Sequence, residues 1–152
     1  MNAARKKNTT ELQLGNLHAQ LGYHLARASV VTTDAFNACV GHPHQLRKVE
    51  YSLLMLLLAN EALSPKQLAK VLSLTAPNLT MLLDRLQDRG LILRERNPND
   101  GRSQHVRLTH AGTQLIREAD QAAKGMYAHW QSRLSPAENA MLLELLAKVY
   151  QG

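Results

Sequence analysis

The sequence has little cysteine, few aromatic residues and no long apolar run. Its 152 residues include one cysteine, Cys39, so an intrachain disulfide scaffold is excluded. Aromatic residues make up 4% of the chain, which leaves leucine and alanine to build the core and favours helix. The longest apolar run, residues 53–59, is too short to cross a membrane. Because the polar N-terminus also carries no apolar segment typical of a secretory signal, we expect a cytoplasmic protein.

Positive charge is in excess and unevenly distributed. Lys and Arg outnumber Asp and Glu by 18 to 12, which gives a formal net charge of +6 and favours contact with a polyanion. The planar guanidinium of arginine suits phosphates and base edges better than the ammonium of lysine does. Six arginines lie close together in the sequence: Arg85, Arg89, Arg94, Arg96, Arg102 and Arg107.

Apolar residues at helical spacing predict a mainly α protein. A row in steps of three and four predicts one long helix over residues 14–40, ended by Gly41 and Pro43. A leucine-rich second helix over residues 46–60 is expected at the centre of the core. Because the first helix outreaches a small core, another chain or a distant helix is expected to cover part of its apolar stripe.

Two short helices joined by a three-residue turn come next. Ser64, Pro65 and Gln67 form a capping box that opens the first of them. Thr75 is predicted to cap the second, which Gly90 ends. The residues expected to be buried on the two helices are Leu68, Val71 and Leu72, then Leu79, Leu82, Leu83 and Leu86.

The pattern then changes to short strands before two final helices. Residues 91–96 and 104–108 are predicted to form a β-hairpin, and the turn-forming residues 97–103 between them a long exposed tip. Thr109 is expected to cap the next helix, and Ser135 to open the last helix through a second capping box. That last helix is expected to bury Met141, Leu142, Leu145, Leu146 and Val149.

This order of elements is that of a winged helix-turn-helix, a small β-hairpin wing on a mainly α fold. Residues 46–108 are predicted to form a DNA-binding lobe whose helix over residues 76–89 enters the major groove. Residues 12–45 and 109–152 are predicted to form a helical dimerisation region.

Several side chains of this lobe are predicted to contact DNA. Asn78 and Arg85 are the expected base readers, since both side chains can make paired hydrogen bonds to base edges. Arg102 at the hairpin tip suits the narrow minor groove, and Gly101 permits a close approach. The other predicted contacts are apolar ones from Pro77 and Met81, phosphate contacts from Ser64 and Thr75 at helix N-termini, where capping alone is the alternative, and Arg94.

Three stretches of the sequence form a family pattern: Leu82-Leu83-Asp84-Arg85-Leu86-Gln87-Asp88-Arg89-Gly90-Leu91-Ile92 followed by Arg94, then Asp100-Gly101-Arg102-Ser103, then Val106-Arg107-Leu108-Thr109 with Gly112. This pattern resembles the MarR (multiple antibiotic resistance regulator) family. The resemblance covers nearly the whole chain and is most specific over residues 75–112.

The resemblance implies roles that the residues alone do not show. Arg102 would be the minor-groove arginine of the wing, with Asp100 holding the loop, and Asp84 would pair with a wing arginine rather than with DNA. The chain would form a homodimer through its first and last helices. It would repress nearby genes and leave DNA on binding a small, often aromatic or phenolic, molecule. A two-fold dimer is expected to read a pseudo-palindrome with half-sites about 10 bp apart.

The effector itself is not readable from the sequence. The resemblance implies a ligand cavity, and the candidate contacts are His24, Arg27, Tyr51 and Trp130. For His24 a satisfied position in the dimer seam is the favoured alternative, and the other three could equally serve packing or the surface. No cofactor is expected.

A donor cluster at Cys39, His42 and His44 leaves metal sensing open. The proline between the histidines and the lack of a His-x-x-x-His pair count against it. Cys39 could also sense peroxide, but a small buried apolar role is favoured.

Motifs of common enzyme classes are missing from the sequence. It has no glycine-rich phosphate loop, no Gly-x-Ser-x-Gly elbow and no His-Glu-x-x-His pair, so an enzyme is not expected. Winged helices also dock proteins, so an interaction module without DNA binding is the alternative of another class.

Overall fold

The computed structural model describes residues 12–97 and 100–151, apart from the side chains at positions 97–103 and 129–131. This part of the chain is mostly helical with one two-stranded antiparallel sheet, which confirms the predicted fold class. The chain divides between Asp34 and Ala35 into two compact units. No described helix is both long and apolar enough to cross a membrane.

The first helical segment is less regular than its apolar row predicts. The expectation that Gly41 and Pro43 end the helix is wrong, because Pro43 lies in the first turn of a further helix, where a missing N–H is tolerated. The chain turns instead at Gln45, whose φ of 52° is left-handed. The segments are a 3₁₀ turn, Gly15–Ala19, helix α1, Leu21–Phe36, a π-helical turn, Asn37–Gly41, and a short α2, His42–His44.

The helix-turn-helix consists of α4, Pro65–Leu72, and α5, Ala76–Asp88, and it follows the central helix α3, Lys48–Ala59. Ser64 and Gln67 bond reciprocally across the first turn of α4, which confirms the predicted capping box. Thr75 occupies the N-cap of α5, but its side chain makes no capping hydrogen bond to a described residue, so that prediction is wrong. Pro77, at the second helical position, has no N–H, which leaves the Asn78 N–H as the one usual capping donor. Gly90 follows α5 with a φ of 68°, as a helix-ending glycine does.

Leucines of α3 and α5 form the centre of the core of the C-terminal unit. The prediction that Leu79, Leu82, Leu83 and Leu86 face inwards is confirmed, and Leu53 and Leu54 of α3 are fully buried.

The packing of α4 departs from expectation at one residue. Leu68 is fully buried and Leu72 is half-buried, but Val71 is 64% exposed, so its predicted burial is wrong. Val71 instead lines an open groove with Leu56 and Leu63, because no element covers this side of α4 within the described chain.

The predicted hairpin is confirmed, with a shorter tip. Strand β1, Ile92–Asn97, pairs antiparallel with β2, Asp100–Leu108. The register runs regularly to the Arg96 and Gln104 pair and shifts beyond it. This irregularity lets β2 extend through part of the predicted loop, since a bulge can take up extra residues on one strand.

The wing is also bonded to the loop before α4. Leu63 and Val106 exchange two backbone hydrogen bonds, with N–O distances of 3.2 and 2.8 Å. Val106 is fully buried. The base of the wing is therefore fixed to the helix-turn-helix.

Two helices complete the chain, α6, His110–Gln131, and α7, Pro136–Tyr150. Thr109 Oγ1 accepts a hydrogen bond from the Gly112 N–H at 2.9 Å, which confirms the predicted cap. Ser135 and Glu138 form the second predicted capping box, and the hydrogen bonds from Ser135 lower the pKa of the Glu138 carboxyl.

The apolar face of α7 is exposed in the single chain. Met141 is 62% exposed, Leu142, Leu145 and Val149 are also exposed, and Leu146 is half-buried. The predicted burial of this face is therefore wrong for one copy. Helical spacing of apolar residues indicates that a face needs covering, but it does not indicate which chain supplies the cover.

Candidate nucleic-acid interface

The outer face of α5 is open over its first turns. Pro77 and Asn78 are exposed, and Met81 is 70% exposed, while the leucines of the opposite face lie in the core. The helix therefore presents these side chains outwards, as a helix that enters the major groove must. Their contact with bases remains a prediction.

An arginine of the wing is fastened to α5. Arg94 Nη2 lies 2.5 Å from Asp84 Oδ1, and Arg94 Nε donates to Gln87 Oε1 at 2.6 Å. This is the type of pair that the family resemblance implied for Asp84. Sequence reasoning placed Arg94 among the DNA contacts, whereas the structure gives its guanidinium partners within the protein that join β1 to α5.

A buried carboxylate also holds the C-terminal end of α5. Glu50 is fully buried in α3, and its Oε1 lies 2.9 Å from Arg85 Nε. Its Oε2 accepts a hydrogen bond from the Arg47 N–H at 2.7 Å and lies 3.9 Å from Arg89 Nη1. The guanidinium of Arg85, predicted to read bases, thus has a partner inside the protein, although its side chain is 41% exposed. Base contact by Arg85 remains a prediction.

Sequence reasoning missed Glu50, although a signal was present. Glu50 is an acidic residue in a leucine-rich helix, at the third position where a carboxylate can bond back to the N-cap. That signal predicts a cap. It does not predict an ion pair with residues far along the chain.

The clustered arginines largely serve the scaffold. Four of the six lie within 4 Å of a carboxylate oxygen: Arg85 and Arg89 at Glu50, Arg94 at Asp84, and Arg107 at Glu95. Most of the arginines in this segment therefore have a carboxylate neighbour within the protein.

The wing tip lies partly outside the described residues. The backbone of Asp100, Gly101 and Arg102 belongs to β2, but their side chains are outside the description. Their predicted roles stay predictions. The Ser64 hydroxyl donates to Gln67 Oε1 and accepts from the Gln67 N–H, so Ser64 acts as a cap, and Thr75 is exposed. Phosphate contact by either residue remains a prediction.

The ligand candidates of the N-terminal unit are exposed. The side chains of His24 and Arg27, both in α1, are exposed. His24 Nε2 is 2.8 Å from the His18 carbonyl oxygen, and the rings of His24 and Tyr23 form a T-shaped pair with centroids 5.5 Å apart.

Tyr51 of the C-terminal unit is half-buried and hydrogen-bonded. Its O–H donates to Asp120 Oδ1 at 3.2 Å, and its ring packs edge to face on Phe36. Burial, together with the charge of Asp120, raises the pKa of Tyr51 to about 12. The phenol is protonated at neutral pH even without this shift, because the ordinary pKa of tyrosine, about 10, is already well above 7. The side chain of the fourth candidate, Trp130, lies outside the described residues.

The donor cluster is not assembled as a metal site. Across residues 12–97 and 100–151, no three His, Cys, Asp or Glu side chains are grouped to hold a metal ion. Cys39 is a half-buried free thiol that packs against the core.

An exposed helix over a leucine core, with a hairpin fastened beside it, defines a winged helix-turn-helix DNA-binding regulator. The model of the MarR family matches residues 46–104. The chain is similar to the transcriptional repressor CouR bound to a 23-mer DNA duplex, with 33% identity, a TM-score of 0.85 and coverage of 92% of this chain and 99% of that one. The chain belongs to the MarR family of transcriptional regulators.

Two further relatives extend the comparison. The chain resembles a mutant of MarR from E. coli complexed with operator DNA, at 28% identity and a TM-score of 0.80, over 91% of this chain and 99% of that one. A transcriptional regulatory protein assigned to the hcr operon of Thauera aromatica is 27% identical over 93% of this chain and 85% of its own length. The similarity therefore extends well beyond the DNA-binding lobe.

Proposed function

We propose that this chain forms a homodimeric repressor that binds a pseudo-palindromic operator and releases it when a small molecule binds. The observation that carries the proposal is the exposed face of α5 beside a wing fastened by the Arg94–Asp84 pair. A helix and a hairpin held at a fixed angle can enter neighbouring grooves together. Residues 46–108 supply the DNA-binding lobe, and residues 12–45 and 109–152 the dimerisation region.

The roles proposed on DNA follow the exposure of each side chain. Asn78 reads a base edge in the major groove, and the outer nitrogens of Arg85 assist it. Arg102 enters the minor groove. The supporting roles are apolar contact by Pro77 and Met81, phosphate contact by Ser64 and Thr75, and support of the wing by Asp84, Arg94, Asp100 and Gly101.

Exposed apolar faces support dimerisation. Contiguous exposed apolar surface marks an interaction site, and both ends of the chain carry it. A second copy that covers these faces would bury them as the sequence pattern requires. The exposed residues are Leu14, Leu17, Leu21, Leu25, Val31, Met141, Leu142, Leu145 and Val149.

The effector proposed is a small aromatic or phenolic acid, or its thioester. CouR, at 31% identity and a TM-score of 0.81 over 91% of this chain, has been solved with p-coumaroyl-CoA bound. We propose contacts from His24, Arg27, Tyr51 and Trp130. The Tyr51 hydroxyl and the Asp120 carboxylate supply polar atoms beside the Phe36 ring, a combination that suits a phenolic ligand.

Operator binding is tested by mobility shift with the duplex upstream of the chain's own gene. Arg102→Ala is expected to abolish the shift while the circular dichroism and the dimer mass stay unchanged. Arg133→Ala, which removes an exposed arginine between α6 and α7, is the charge-matched control and should keep binding. If Arg102→Ala binds the operator as the wild type does, Arg102 of the wing does not contact DNA. A protein-interaction module then becomes the better interpretation.

Effector binding is tested by thermal shift of the wild-type dimer. Phenolic acids and p-coumaroyl-CoA are expected to raise the Tm, because a ligand that binds only the folded state stabilises it, and the active compound should dissociate the operator complex. A response to zinc or to peroxide alone would replace the aromatic effector with a metal- or redox-sensing role.

A further inference from the structure

We propose that Glu50 is a positioning residue for operator recognition, which sets the angle of α5 by gathering Arg85 and Arg89 around one buried carboxylate. The proposal rests on the proposed operator binding, and its test separates the two.

Glu50 stands out by its burial. Of the charged side chains that the structure describes, Glu50 is the one that is fully buried. A carboxylate buried in an apolar core is strongly unfavourable unless opposite charge and hydrogen bonds compensate it. The groups around Glu50 therefore have to stay in place for the folded chain to keep this charge buried.

The compensation comes from the last turns of α5. Arg85 lies in the last turn of α5, and Arg89, four residues later, is its C-cap residue, so both lie on the same side of the helix end. Arg85 Nε lies 2.9 Å from Oε1 in an ion pair that is not an aligned hydrogen bond, and Arg89 Nη1 lies 3.9 Å from Oε2. One attachment point in the last turn and one at the C-cap restrain both the position of the helix end and the rotation of the helix about its own axis.

Arg89 extends the cluster to the end of α2. Its Nη1 donates to the Gln45 carbonyl at 2.9 Å, and its Nη2 donates to the His44 carbonyl at 3.4 Å. Gln45 is the left-handed residue at which the chain turns towards α3. The cluster therefore fastens the end of α2, the start of α3 and the C-terminal part of α5 to one another.

The cluster lies at one end of α5 and the predicted base reader at the other. Arg85 and Asn78 are separated by about 10 Å along the helix axis, at a rise of about 1.5 Å per residue. A tilt of about 10° at Arg85 would displace Asn78 by roughly 2 Å, which is enough to break a hydrogen bond to a base. Phosphate contacts from flexible side chains tolerate such a shift better.

The test compares specific with non-specific binding in Glu50→Gln. The amide keeps the shape of the side chain and an acceptor for the Arg47 N–H, but it removes the charge that holds the arginines. We expect operator affinity to fall about tenfold or more, while affinity for a scrambled duplex of equal length stays within about twofold, since phosphate contacts dominate non-specific binding. Glu61→Gln is the control, because it removes one exposed carboxylate after α3 and should change neither affinity.

Two readouts separate positioning from a general loss of stability. Hydrogen exchange should quicken at the amides of residues 45–47 and 85–90 and stay unchanged in α7. Arg89→Gln should lower the same specificity ratio, and the double variant with Glu50→Gln should lose less than the product of the two single losses, since both act through one cluster. If Glu50→Gln does not fold as a dimer, Arg89→Gln alone carries the test by the same ratio.

An unchanged operator-to-scrambled ratio in Glu50→Gln and Arg89→Gln overturns the positioning role, as do fully multiplicative losses in the double variant. A wild-type dimer that shows no preference for the operator is a failure of the proposed function instead.

Discussion

The two ends of α5 differ in how the rest of the chain holds them. The first turns expose Pro77, Asn78 and Met81, whereas the last turns are fixed by the Arg85 pair with Glu50 and the Arg94 pair with Asp84. One helix thus separates two tasks, contact with a partner and control of its own orientation. A recognition element needs both, because an exposed side chain reads bases only when its backbone is fixed.

The largest expected effect is a loss of stability at Gly112, where α6 packs against Leu91 just after the C-terminal end of α5. A Cβ at Gly112 would lie 1.9 Å from the Leu91 carbonyl oxygen, so α6 approaches the start of the wing at a distance only glycine permits. Gly112→Ala should lower the free energy of unfolding by about 3 kcal/mol, because the helix or the strand must move. Urea unfolding of the dimer measures this.

Gly125 provides a control on the same helix, since a Cβ there would meet nothing within 4 Å. Gly125→Ala should be neutral or stabilise by up to about 1 kcal/mol through helix propensity. Equal effects of the two alanines would show that α6 does not pack on Leu91 as described.

The exposed end gives the next largest effect, and it concerns binding rather than stability. Asn78→Ala should weaken operator binding by about 1–3 kcal/mol, the range for a paired contact to a base. The urea midpoint should move little, because the side chain is exposed. Gln114→Ala on the exposed side of α6 serves as control. A loss of stability without a loss of affinity would show that Asn78 supports the fold and does not contact DNA.

The C-terminal end of α5 is also bonded to the wing, through Arg94. Arg94→Ala removes the bonds to Asp84 and Gln87. It should lower the free energy of unfolding by about 1 kcal/mol. A larger loss is not expected, because Asp84 is exposed and solvent weakens the ion pair. Operator affinity should fall as well, because the wing loses its attachment to α5.

Arg107→Ala is the comparison for the wing, since its pair with Glu95 is longer, at 3.8 Å, and half exposed on both sides. It should change stability by only a few tenths of a kcal/mol. If the two variants lose the same stability, the Arg94 pair is an ordinary surface pair and the wing is held by its backbone bonds alone.

Local signals predicted the local structure well. Capping residues such as Ser64, Ser135 and Thr109, and the turn formers of the hairpin, act within a few residues, so the sequence displays them directly. The Glu50 cluster escaped prediction because its partners come together only in the folded chain. The α7 face was assigned to the core because apolar spacing does not say which copy covers it. Arg85 and Arg94 were assigned to DNA because arginine suits phosphate and carboxylate equally.

The smallest expected effect concerns the two residues placed at helix starts, Ser64 before α4 and Thr75 before the exposed end of α5. Ser64 makes reciprocal bonds with Gln67, so Ser64→Ala should lower the free energy of unfolding by about 0.5–1 kcal/mol. Thr75→Ala should lower it by only a few tenths, because the hydroxyl makes no capping bond to a described residue. Urea unfolding and operator affinity, measured side by side, separate capping from phosphate contact. If Thr75→Ala weakens the operator complex at unchanged stability, the Thr75 hydroxyl contacts DNA at the exposed end of α5. If stability falls as far as in Ser64→Ala, Thr75 is a cap after all, and both ends of the helix are held by the protein itself.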